Sequence, residues 1–218
     1  MTTANKGDQP KRTGIALLAH VLITRLLTLI ALNLMFCVAV LPVVTLPNAL
    51  AALYRCVGLV LKEEDFSLWK TFFRAFVSEF LKTLAVGWLV LLLLVGSIFG
   101  AVFYWSISTW YALAFTMFCV VMGIYLYAVT CNLFYMLSRV RLPFGALLKN
   151  AFLLVFLQPV KKTAWCLVSL ALLAGCAWYA PRSLPIVILI ACSLVAMIAC
   201  FGVSECIENR IVSYAPLP

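Results

Sequence analysis

Residues able to do acid, base or nucleophilic chemistry are few in this chain, and their placement argues against catalysis. His20 is the only histidine. It stands at the head of an apolar run, where a lone imidazole is an interface residue far more often than a base or a ligand. The carboxylates are confined to Asp8, the cluster Glu63-Glu64-Asp65, Glu79, Glu205 and Glu208. No two of them share an apolar segment, where burial would tune a general acid. The serines lack a visible base, and no G-x-x-x-x-G-K-[ST] phosphate loop occurs. Of the nine cysteines, Cys37, Cys119, Cys131, Cys166, Cys176, Cys192 and Cys200 lie inside apolar runs and none forms a C-x-x-C pair. They read as small buried hydrophobes, not as a disulfide framework or a metal site. The chain is therefore expected to be non-enzymatic, with no catalytic residue, no metal and no cofactor.

What polar chemistry remains sits within apolar segments, where exposure to lipid is costly and function is the default hypothesis. These residues are Asn33, Thr45, Asn48, Arg55, Thr130 and Asn132, with Glu205 at the end of the last apolar run. For the amides and threonines the plain alternative is helix–helix hydrogen bonding, worth on the order of 1 kcal/mol each. Arg55 has two readings: its guanidinium snorkels to the membrane surface, or it pairs with Glu205 or a ligand inside the bundle. Pro42 and Pro47 belong with this set because they interrupt the same apolar stretch. Pro removes a backbone donor and clashes with the preceding turn. Lipid tolerates irregular backbone only where protein or water covers it.

The elements that must position these residues follow from composition. Hydrophobic residues make up 66% of the chain and charged residues 11%, against roughly 25% charged in soluble domains. This is the composition of a polytopic helical membrane protein, with room in 218 residues for a single domain and no separate catalytic one. The net charge of +9 does not indicate nucleic acid, because the basic residues flank apolar segments and do not form a soluble basic patch. Apolar runs at Val21–Leu41, Leu84–Ser106, Trp110–Leu137, Thr163–Tyr179 and Pro185–Ser204 approach the ~20 residues a bilayer crossing needs. Val43–Leu61 is a further stretch of nearly that length. If it returns across the membrane, or re-enters as a half-helix, Lys6, Lys11, Arg12, Arg25, Lys62, Lys70, Arg74, Lys82, Arg139, Arg141, Lys149, Lys161, Lys162 and Arg210 share one face and Arg182 alone lies opposite. The positive-inside rule then places both termini in the cytoplasm.

Two amphipathic helices are expected on that face. In the stretch from Glu63 to Lys82, Trp69, Phe72, Phe73, Phe76 and Phe80 recur at three- and four-residue steps, opposite Lys70, Arg74, Ser78 and Lys82. Such a helix lies in the interface plane, either as a linker under the bundle or as a docking surface. Pro143 opens a weaker unit over Phe144–Phe156. The echo of Arg74-Ala-Phe…Lys82-Thr in Asn150-Ala-Phe…Lys162-Thr hints at a duplicated half. Gly96-Ser-Ile-Phe-Gly100 permits close helix approach within the monomer, and Trp105, Trp110 and Tyr111 mark an aromatic belt at the opposite surface. The expected fold is thus an all-α bundle of five clear transmembrane helices plus a proline-broken second segment, with two interfacial helices. Residues 1–14 form a polar, disordered N-terminus, 15–212 the helical domain and 213–218 a tail.

The segments Asn33-Leu-Met-Phe36, Leu41-Pro-Val-Val-Thr-Leu46, Ala49-Leu-Ala-Ala-Leu-Tyr54 and Phe72-Phe-Arg-Ala-Phe76 together resemble the YesL family of small bacterial membrane proteins. The resemblance covers about Leu27–Lys82 and is compositional beyond it. Pro47-Asn48 stands where the family usually has Gly-Pro, Phe36 where it has tryptophan, and Glu79 where the surface helix has asparagine, so the hairpin turn is the part that departs. The resemblance implies a bacterial plasma-membrane protein whose genes commonly accompany carbohydrate ABC importers; it supplies no catalytic residues. The function expected is an accessory or regulatory role in carbohydrate uptake, with lipid and an ABC permease or other membrane protein as partners and homo-oligomerisation left open. The alternative is an autonomous small-solute transporter or channel with its site at the broken hairpin.

Overall fold

The structure is a computed structural model that describes residues 15–207 apart from 108, 141, 158–159, 180–181, 183–184 and 186, with backbone alone at 15, 160–163, 188 and 205–207. Among the described residues the only regular secondary structure is helical, with no strand. The helices are α1 (Ile15–Thr24), α2 (Leu26–Val40), α3 (Leu46–Leu61), α4 (Leu68–Val77), α5 (Phe80–Trp105), α6 (Trp110–Arg139), α7 (Phe144–Leu157), α8 (Val160–Trp178) and α9 (Cys192–Ile207). A 3₁₀ turn, Val43–Thr45, precedes α3, and a π-helical stretch, Val187–Ala191, precedes α9.

Val43–Leu61, Phe80–Trp105 and Trp110–Arg139 are long and apolar enough to cross a membrane. The α1–α2 pair adds a fourth candidate if its halves count as one span, but it is bent by 76° at Arg25. The expected first span is therefore an elbow. The two expected C-terminal spans are represented by the shorter apolar helices Ala164–Trp178 and Leu189–Ser204.

The centre of the molecule is α3, on which α2, α4, α5, α6 and α9 all pack. Its buried residues run almost without a gap from Pro47 to Leu61 and include Ala49, Ala51, Ala52 and Gly58. Small side chains matter here because lipid gives helices no hydrophobic reason to associate, so close van der Waals contact must do it. Pro47 stands in the first turn of α3, where its missing N–H would have had no helical partner anyway. The chain break falls at Pro42, whose ψ of 94° is extended.

The α5–α6 hairpin uses its glycines in the same way. The Cβ that Gly100 lacks would lie 3.1 Å from Cys119 Sγ, and that of Gly123 3.1 Å from Ser97 Oγ. Burial in this hairpin concentrates at the ends nearest α3: α5 buries Thr83, Val86, Gly87 and Val90, and α6 buries most of Leu126–Ser138 besides Ala112 and Thr116 near its start. Toward the other end Phe99, Trp105, Trp110, Phe118 and Val121 are widely exposed. An apolar surface of that extent on a water-soluble chain would be a liability; in a bilayer it is the lipid-facing wall.

Candidate functional site

The polar residues singled out from the sequence are brought to four different breaks in the helical backbone. Asn33, fully buried on α2, donates from Nδ2 to the Val187 carbonyl (2.8 Å) and accepts the Ser193 backbone N–H on Oδ1 (2.9 Å). It spans the π-helical stretch, where the regular ladder leaves a carbonyl and an N–H to be matched from outside. Asn48, at the start of α3, donates from Nδ2 to the carbonyls of Phe76 and Phe80, both at 3.3 Å. Between those carbonyls α4 stops and α5 begins, with Glu79 in the left-handed region at φ 49°. Among the described residues the Asn48 Oδ1 atom is buried with no hydrogen-bond partner.

Thr45 closes the hairpin turn itself. Its hydroxyl is shared between the carbonyls of Ala39 (2.6 Å) and Pro42 (2.7 Å), and its N–H donates to Pro42 as well. The next free carbonyl, that of Val44, accepts the indole N–H of Trp88 on α5 (2.9 Å). Beside Trp88, Gly87 lets α5 touch the turn: a Cβ there would overlap the Pro47 ring. Trp88 and Gly87 were not foreseen. The signal for Gly87 was a lone glycine inside an apolar helix, which the sequence could not connect to a proline forty residues earlier.

Arg55 points to the end of α6, where Nη1 donates to the Ser138 carbonyl. One residue on, Arg139 lies with its guanidinium carbon 5.9 Å from the Tyr135 ring centroid. Its Nη2 occupies the space that a Cβ on Gly58 would need. Among the described residues Nε and Nη2 of Arg139 are buried with no hydrogen-bond partner. Glu205 belongs to α9 by its backbone, but its side chain lies outside the described residues, so pairing with Arg55 does not enter the geometry. Asn132 turns back onto its own helix, donating to the Ala128 carbonyl (2.9 Å). Thr130 does likewise toward Leu126 (2.8 Å).

The aromatic stripe of α4 divides. Leu68, Phe72, Ala75 and Phe76 pack on the core and Phe72 is only 1% exposed, whereas Trp69 and Phe73 are 63% and 53% exposed. The exposed pair stacks on itself, with ring centroids 5.9 Å apart and planes 15° from parallel. Lys70 and Arg74 are exposed on the same helix. Phe80 has already passed into α5, half-buried beside Phe76. The second surface helix, α7, is held to α6, where Tyr125 donates its hydroxyl to the Phe152 carbonyl (3.1 Å) and packs on Phe156.

At the elbow, His20 meets Glu63 at 3.2 Å and Arg25 meets Asp65 at 3.1 Å. These contacts tie α1 and the Arg25 elbow to the loop after α3. Among the described residues no group of His, Cys, Asp and Glu is arranged to hold a metal ion.

Apolar helices of membrane length, an apolar outer wall and buried polar groups spent on backbone breaks define the class: an all-helical membrane protein. Residues 29–107 match the family model described as a protein of unknown function, DUF624; this is the family that YesL-like proteins belong to. The match runs from the first turn of α2 to just past the end of α5. It bears out the resemblance over the hairpin and the surface helix α4, and continues beyond it along α5. No curated protein and no solved structure matches the chain.

Proposed function

We propose that this chain is a non-enzymatic accessory or regulatory protein of the bacterial plasma membrane, with both termini cytoplasmic, that serves carbohydrate uptake of the ABC type. In this reading the outward face of α4 is its contact with a permease. The observation that carries it is the stacked, exposed Trp69–Phe73 pair flanked by Lys70 and Arg74. Exposed aromatics beside basic side chains suit the rim of a protein contact at a membrane surface. The link to carbohydrate uptake comes from the family resemblance alone. Affinity purification from native membranes would test both parts. The expected result is a permease subunit that co-purifies with the wild-type chain and is lost from Trp69→Ala/Phe73→Ala. A chain that emerges alone, in a strain whose sugar uptake is unchanged by deletion of the gene, would sink the proposal.

The alternative, an autonomous transporter, draws on the interrupted backbone at Pro42 and at Val187–Ala191, since discontinuous helices often frame midplane sites. It is the weaker reading, because Asn33 and Thr45 already spend hydrogen bonds on those breaks. Solute flux into liposomes holding this protein alone, abolished by Arg55→Ala or Asn33→Ala, would reverse the preference.

A further inference from the structure

We infer that residues 26–61 form a re-entrant hairpin, with α2 entering and α3 leaving on the same side of the membrane and the Pro42–Thr45 turn held inside the bilayer. The inference rests on the membrane placement of α5 and α6 and is independent of any partner.

The long hairpin gives the depth scale. One end carries Lys82, at the start of α5, and Arg139, at the end of α6; the other carries Trp105, Trp110 and Tyr111. Gly87 lies seven residues past Phe80 and eighteen before Trp105. At ~1.5 Å per residue it is about 10 Å from the basic end of α5 and about 27 Å from the aromatic end. Pro47 packs against Gly87, and the ring of Phe134, five residues before the end of α6, lies at the same spot. Val44 is tied to the neighbouring Trp88. The turn of the α2–α3 hairpin therefore reaches only about a third of the way along the helix it docks on.

Both outer ends of the hairpin stay at the basic end. Arg25 joins Asp65 just beyond α3, Arg55 reaches Ser138, and Gly58 lies beside Arg139. Length agrees. The other arm, Val43–Leu61, is long enough to cross, but the fifteen residues of α2 extend about 22 Å, short of the ~30 Å hydrocarbon core, and the 76° elbow at Arg25 keeps α1 from extending them.

The backbone chemistry of the turn is what such a depth demands. Irregular backbone in the hydrocarbon region must be satisfied by protein, since no water is there to do it. The carbonyls of Ala39, Pro42 and Val44 are each taken by a side chain or N–H of Thr45 or by Trp88. The side chains turned outward at the tip, Leu41, Val43 and Val44, are apolar and widely exposed. A turn in aqueous solution would need none of these devices.

The test is thiol accessibility in the full-length chain freed of its native cysteines, with one cysteine placed by Val43→Cys or Val44→Cys and the protein in sealed, oriented vesicles. Ile107→Cys, in the α5–α6 turn, and Glu64→Cys, after α3, mark the two surfaces. A membrane-impermeant maleimide should modify Val43→Cys on the Ile107→Cys side slower by on the order of tenfold or more, because a thiol in hydrocarbon forms no thiolate. Modification there as fast as at Ile107→Cys means a complete crossing and overturns the inference. Should the cysteine-free chain fail to fold, a fluorescent amino acid at Val44 in the chain with its native cysteines gives a second measurement. Nitroxides placed along the lipid acyl chain should quench it more strongly than nitroxides on the headgroup, and the reverse order would overturn the proposal.

Discussion

At the level of single residues, the buried polar groups of this protein act mainly on backbone, and that gives graded expectations. Asn33→Ala leaves the Val187 carbonyl and the Ser193 N–H without their partner. Stranding buried groups costs about 1–3 kcal/mol, and the melting temperature in detergent should fall by about 2–4 °C for each kcal/mol. The glycines separate by what faces them. Gly87→Ala drives a methyl into the Pro47 ring, which cannot give way, so a loss of about 1–3 kcal/mol is expected from overpacking. Gly58→Ala meets only the far end of the flexible Arg139 side chain and should cost less. Gly96 has nothing within 4 Å of the added carbon, so Gly96→Ala should be neutral or mildly stabilising through helix propensity. Thermal melts of the three variants in one detergent would check the order; equal effects at Gly87 and Gly96 would contradict the docked turn.

At the level of elements, α4 carries two faces, one packed on the core and one exposed. Phe72→Ala empties a site buried against the core and should cost about 3–5 kcal/mol, visible as a large fall in melting temperature. Trp69→Ala and Phe73→Ala remove exposed rings and should leave the melt nearly unchanged while reducing co-purification of the partner. If all three variants melted alike, the division of the stripe would be wrong. The elbow between α1 and α2 is held differently. Arg25 and Asp65 are 38% and 76% exposed at their side chains, and a pair so open to solvent is worth about 0–1 kcal/mol. Arg25→Gln should therefore move the melting temperature by no more than a few degrees, and less still in high salt.

At the level of the whole molecule, the fold is densest where α3, α6 and α9 meet and thins toward the aromatic end of the α5–α6 hairpin. Cys56, Cys131, Cys166 and Cys200 lie in the dense part, each no more than 1% exposed, and among the described residues no disulfide forms. Maleimide should leave these four unmodified in the folded, detergent-solubilised protein and modify them once it is denatured, as mass spectrometry of the peptides would show. A reducing agent should leave the melt unchanged. Rapid labelling of Cys131 in the folded state would mean that the centre is open to water, as a transport pathway would require.

How much of this was legible beforehand divides along physical lines. Composition, run length and turn residues determined that the chain is all-helical and membrane-bound, that Pro42 breaks it, that α4 is amphipathic and that Gly100 serves close packing. These depend on local periodicity and on the bilayer as solvent, which a sequence carries in full. The elbow was not foreseen, because one arginine inside the apolar run from Val21 to Leu41 does not by itself specify a bend, and the residues that His20 and Arg25 meet there, Glu63 and Asp65, lie some forty residues away. The same reason hid the split of the α4 stripe, since whether Phe72 or Phe73 faces inward depends on where α3 lies. Only the tertiary structure decided that Asn33 and Asn48 serve backbone breaks in other segments, that Thr45 closes its own turn, and that this turn stops about a third of the way along α5. A hydrogen bond across 154 residues has no periodicity to announce it; it exists only once the helices have chosen their neighbours.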